Sequence, residues 1–79
     1  MLQPLFRPSK NVWVIKENKP VILKVEIVIW EQYQIGYMLS GYNFGKTKIE
    51  VVFKQVEGEM LLMFITEKEA QNYIDNQPF

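Results

Sequence analysis

The sequence predicts a mainly β fold: a small five-stranded antiparallel barrel, or a strongly bent sheet, with a short C-terminal α-helix. Three observations point there. The stretch Val21 to Trp30, Val-Ile-Leu-Lys-Val-Glu-Ile-Val-Ile-Trp, is almost wholly β-branched, aliphatic or aromatic, with Leu23, Val25, Ile27 and Ile29 at every second position. Short apolar runs recur on both sides of it, punctuated by turn residues such as Glu17-Asn18-Lys19-Pro20 and Glu57-Gly58-Glu59. Helical spacing is confined to the C-terminal end.

Taken in order, Met1 to Lys10 reads as an arm, because Pro4 and Pro8 interrupt regular hydrogen bonding around Leu5 and Phe6. Such an arm either frays or lies over the barrel with Phe6 plugging an open end; the sharper alternative docks it on another subunit. Residues 11–79 then form one small domain. Asn11 to Lys16 gives a first strand with Val12 and Val14 on one face and Trp13 and Ile15 on the other. Glu17 to Pro20 turns the chain, since Asn tolerates the left-handed region and Pro suits a strand's first position. In the central strand the alternation puts Leu23, Val25, Ile27 and Ile29 inward and Lys24, Glu26, Val28 and Trp30 outward. Ile35 to Leu39 makes a third strand, with Gly36 marking a bulge or bend. Ser40 to Lys46, with two glycines around two aromatics and an asparagine, reads as a loop too irregular for a two-residue hairpin turn. Thr47 to Val56 is the fourth strand and Met60 to Phe64 the fifth. A helix over residues 66–76 closes the chain. Thr66 is its N-cap, Glu69 completes a capping box, Ile65 and Ala70 have staple spacing, and Pro78 prevents continuation. Ala70, Tyr73 and Ile74 form its apolar stripe, suited to a lid on the barrel. Five short strands and tight turns suggest an SH3-like barrel; an OB-like barrel is the neighbouring possibility, though it calls for longer strands and a helix between the third and fourth.

Composition narrows the function classes. With 79 residues there is room for one core, and 48% hydrophobic residues with eleven aromatics (two Trp, four Tyr, five Phe) are ample to build it. The chain has no Cys and no His, which excludes a disulfide, removes the usual zinc ligands, and takes away the commonest general base and best nucleophile. The carboxylates are scattered over strands, turns and helix, and Gly41 and Gly45 do not fit a phosphate loop. The expectation is a protein that is not an enzyme and uses no cofactor. Nine basic residues balance nine acidic ones, so the basic excess that phosphate-backbone binding draws on is missing, while little charge repulsion keeps copies apart. No apolar run is long enough for a signal peptide or a membrane span, making the cytoplasm the expected location.

Two stretches carry a resemblance. Met63-Phe64-Ile65-Thr66-Glu67-Lys68-Glu69-Ala70 resembles a strand-to-helix pattern, Phe-x-(Thr/Ser)-x-Glu-Glu-Ala, of small uncharacterised proteins of bacteria, phages and mobile elements. Val12-Trp13-Val14-Ile15 matches the Val-(Trp/Tyr)-x-Ile strand with which those proteins often begin. Lys68 stands where the pattern usually has Glu. The resemblance implies an SH3-like barrel, no established activity, and no functional residues to transfer.

The candidate binding residues are the aromatics between Trp30 and Phe44, namely Trp30, Tyr33, Tyr37, Tyr42 and Phe44, with Lys46 and Lys48 beside them. On small barrels such aromatics form platforms for extended peptides or for bases, unless they belong to the core or pack its open ends. Three function classes follow: a module for protein contact or self-association through the outer face around Trp30 or a free strand edge; a structural subunit of a phage or mobile-element assembly; and a single-strand nucleic-acid binder using Tyr42, Phe44, Lys46 and Lys48. Zero net charge weighs against the last.

Overall fold

Four antiparallel strands and one helix make up the chain in the computed structural model, which describes residues 2–43 and 46–77 and, over 42–43 and 46–50, the backbone alone. The elements are β1 (Asn11–Lys16), β2 (Lys19–Trp30), β3 (Gln34–Asn43), β4 (Lys46–Val56) and α1 (Glu67–Asp75), and the sheet order follows the chain, β1-β2-β3-β4. The extents, 36 × 34 × 17 Å, are those of a curled half-barrel rather than a closed one.

Each turn has a local cause. Lys16 pairs with Lys19, so β1 and β2 are joined by Glu17 and Asn18 alone, with φ of 52° and 63°. Two consecutive left-handed residues make the type I′ turn whose twist matches that of a hairpin. Pro20 therefore lies within the strand, opposite Ile15. Its missing N–H falls on the edge that β3 does not reach, so no ladder bond is lost. β3 continues through Ser40 and Gly41 to Asn43, which pairs with Lys46. The loop expected over 40–46 is thus mostly strand; Phe44 and Gly45 lie outside the described residues.

The sheet bends where its register slips. Val25 pairs with Leu39 but Ile27 pairs with Met38, leaving Glu26 as an extra residue in β2. On the other side of β3, Leu39 pairs with Val51 and Ser40 with Ile49, leaving Glu50 as an extra residue in β4. Two bulges beside the same point of β3 give a local rise in twist and a sharp bend. Beyond Lys24 and Ser40 the sheet forks: Lys19 to Leu23 pair only with β1, and Gly41 to Asn43 only with β4. Ser40 is buried, and its Oγ donates to Glu26 Oε1 at 2.6 Å across the fork.

The expected fifth strand does not form. Among the described residues, the segment after β4 makes one bridge, in which Trp13 and Phe64 exchange backbone hydrogen bonds of 2.7 and 2.8 Å. Met60, Leu61, Leu62 and Met63 lack the branched Cβ that favours a pleated strand, and Met63 turns into the core while Met60 stays exposed. The concave side is filled instead by the N-terminal arm. Phe6 is buried among Val12, Val14, Leu23, Val25, Ile35, Tyr37, Leu39 and Met63, and its ring meets Tyr37 edge-on at 5.8 Å.

Behind Phe6, Tyr37 Oη donates to Gln55 Oε1, and both side chains are buried. The arm supplies their remaining partners: Leu5 N donates to Tyr37 Oη at 2.9 Å and to Gln55 Oε1 at 3.2 Å, and Gln55 Nε2 donates to the Gln3 carbonyl at 2.8 Å. Among the described residues no buried side-chain nitrogen or oxygen is left without a partner. The helix is capped by Thr66, whose Oγ1 accepts from Glu69 N at 3.2 Å. It packs on β1 and β2 through Ala70 and Ile74, with Tyr73 against Phe64 at 5.7 Å. Its neighbour Ile15 lies on the face opposite Val12 and Val14, so the helix covers the outside of the first hairpin rather than the mouth of the barrel. Ile65 remains exposed, so its staple spacing to Ala70 yields no buried pair.

Two outcomes are expected in urea unfolding. Phe6→Ala lowers stability by about 3–5 kcal/mol, a large share of the roughly 5–10 kcal/mol available to a domain of this size. Replacing the turn residues by Glu17→Asn with Asn18→Gly raises it by about 1 kcal/mol, because both positions need positive φ.

Candidate functional site

The outward face of the sheet follows from the register, since residues directly opposite one another point the same way. Up to the bulge, Leu23 and Val25 face the core. The extra residue at Glu26 then reverses the alternation, and Val28, paired with the buried Tyr37, faces inward in place of Ile27 and Ile29. Ile27 is 45% exposed and Ile29 44% exposed. Their expected place in the core is therefore corrected, and so is the expected outward side of Val28 and of Trp30. Trp30 lies opposite the buried Ile35 and so on the concave side, exposed only because the strand ends there.

What this builds is an apolar row across three strands. Ile27 lies opposite Met38, and Met38 opposite Val52, which is also exposed. Ile29 is next to this row, opposite Gly36, which in turn faces Lys54. A Cβ at Gly36 would sit 3.8 Å from Ile29 Cβ, within ordinary contact. The glycine thus leaves a shallow step beside Ile29 without being required by close packing.

The same stretch of β2 has a bare edge. Ser9 N donates to the Val25 carbonyl at 2.7 Å, and Val25 N donates to the Lys10 carbonyl at 2.9 Å. There the arm leaves β2, and among the described residues nothing pairs with the β1 side of Ile27 to Trp30. Four uncharged residues on an unpaired edge, with apolar side chains on the adjoining face, form a surface that soluble proteins usually protect.

The residues singled out from sequence do not form one platform. Trp30 is exposed at the end of β2, and Tyr33 is the most exposed large hydrophobic residue described, at 77%. Tyr33 borders a depression with Leu2, Gln32, Val56 and Glu57, and beside it Gln34 Nε2 donates to Glu31 Oε2. Tyr37 is fully buried and belongs to the core, so its ring is closed to stacking on any ligand. Phe44, and the side chains of Tyr42, Lys46 and Lys48, lie outside the described residues. The backbones of Tyr42, Lys46 and Lys48 fall at the far end of β3 from Trp30 and Tyr33, up to about 30 Å away along a ten-residue strand. Sequence reasoning missed Ile27 and Ile29 because the strand is apolar in both phases after Glu26, so no residue there signals the slip.

A second apolar feature lies on the concave side. A groove of about 190 Å³ between the first hairpin and β4 is lined by Val14, Ile15, Lys16, Leu23, Val51 and Phe53. Among the described residues no group of three or more acidic side chains is placed to hold a metal ion, and no helix is long and apolar enough to cross a membrane. Compared with known proteins, the chain matches no family model, no curated protein and no solved structure.

The reversal at Glu26 sets up a direct comparison within one strand. Leu23→Ala, before the bulge, is expected to lower stability by about 2–5 kcal/mol, whereas Ile27→Ala costs less than about 1 kcal/mol. Equal urea midpoints for the two variants would refute the face assignment.

Proposed function

We propose that this protein is a non-catalytic β module for protein contact, which presents the outer row Ile27, Met38 and Val52, with Ile29 beside it, to a protein partner. The observation that carries the reading is the row itself: apolar side chains from three adjacent strands, on the solvent side of the sheet, next to an unpaired strand edge. Large apolar groups gathered on one face of a small protein mark interaction sites far more often than chance exposure would. The edge suits the same purpose, because an incoming extended segment can hydrogen-bond to β2 while its side chains meet Ile27 and Ile29. The balance of nine basic and nine acidic residues supports contact with a protein, including another copy, over contact with nucleic acid. The shared long strand, paired with β1 in its first half and β3 in its second, supports kinship with SH3-like barrels.

The test combines Ile27→Lys with Val52→Lys. Both side chains are exposed, so far-UV circular dichroism and the urea midpoint should stay within about 0.5 kcal/mol of the original. Chemical cross-linking should show that the original protein makes a contact through this face, with a second copy or another protein, that the double variant lacks. Identical complexes for the two proteins would rule out this face.

A further inference from the structure

We propose that the N-terminal arm is an exchangeable plug, and that its seat on the concave face also takes the arm of a second copy, giving a reciprocal dimer. The seat is on the opposite side of the sheet from the outer row, and the proposal does not rest on the reading of that row; the two share only the β2 edge along which the opened link would run.

The seat and its ligand are both defined. The arm buries Phe6 against Tyr37 and the core, and it satisfies Tyr37 Oη and Gln55 through the backbone of Leu5 and Gln3. None of these contacts depends on which chain the arm belongs to. Exchange therefore preserves the whole set, and only the link between arm and β1 decides between the closed and the exchanged form.

That link is short and strained. Lys10 N donates to the Arg7 carbonyl at 3.2 Å, closing a turn over Pro8 and Ser9, and Ser9 sits at φ 73°. The left-handed region is unfavourable for an L-residue other than Gly, Asn or Asp. Ser9 is forced into it because the arm must turn off the edge of β2 and double back into the concave face. An extended Ser9 would relieve this strain and carry the arm onward beside Ile27 to Trp30, the stretch of β2 that has no partner there. Pro8 suits such an edge position, having no N–H to satisfy. Strained short hinges next to a separately seated segment favour exchange between copies.

Substitutions at Ser9 test this in the full chain. Ser9→Gly makes the left-handed link easy and should shift the equilibrium toward the 9.4 kDa monomer. Ser9→Val keeps the N–H that bonds Val25 but disfavours positive φ, and should shift it toward a dimer of twice that mass. Light scattering across a concentration series should show dimer affinity changing in opposite directions, by about tenfold or more for each variant, because every dimer contains two links. If Ser9→Val does not fold, two glycines inserted between Ser9 and Lys10 decide the matter, since a longer link should abolish the dimer. An original protein that stays monomeric at every concentration overturns the proposal. So does a dimer that ignores all changes at the link. A dimer lost only in the Ile27→Lys, Val52→Lys protein assigns association to the outer row and likewise overturns arm exchange, whereas an arm-exchanged dimer should survive those two substitutions.

Discussion

The hydrogen bond between Tyr37 and Gln55, buried eighteen residues apart on neighbouring strands, sets the terms for the rest of the fold. A phenol and an amide facing an apolar interior need partners for every remaining donor and acceptor, or they lose on burial more than their own bond returns. Side chains of the sheet do not complete the set. The backbone of Gln3 and Leu5 does, and in reaching them it carries Phe6 into the core. The arm is thus held by a polar requirement and an apolar one at once. This explains how a four-stranded half-barrel dispenses with a fifth strand.

Much of this was legible from the chain, and the failures share a physical cause. Strand periodicity located all four strands, and Thr66 with Glu69 located the helix start, because these signals come from residues close in sequence. A plug role for Phe6 was also readable, since two prolines isolate an aromatic that has nowhere else to pack. Whether Tyr37 belonged to the core or to a surface platform was not readable, because its partner, Gln55, is on another strand. The segment over Met60 to Phe64 looked like a strand by hydrophobicity alone, yet its unbranched side chains bury one residue and bridge through another. Ser40 to Lys46 looked like a loop because of its glycines, although most of it belongs to a hairpin.

The two faces of the sheet therefore differ in kind. On the concave face, among the described residues, every buried polar side-chain atom is paired and the chain's own Phe6 is seated in the core. The convex face is unfinished, with aliphatic side chains exposed next to an edge whose backbone lacks a neighbouring strand. Both conditions arise where β1 stops accompanying β2. The chain turns at Ser9 to fill one face, and that same departure leaves the other face's border bare.

The Glu26 bulge, pinned to β3 by Ser40, has a further consequence for how the chain can vary over time. Substitutions at this position alter one side chain, whereas loss of this one codon would join Val25 to Ile27 in plain alternation, keeping Ile27 and Ile29 outward and Val28 toward Tyr37 while removing the bulge and the bend it makes. Such a shortened descendant keeps its register with β3 and its outer row, on a flatter sheet. Drift in length at this point, more than drift in composition, therefore alters the curvature of the sheet while sparing the row it carries.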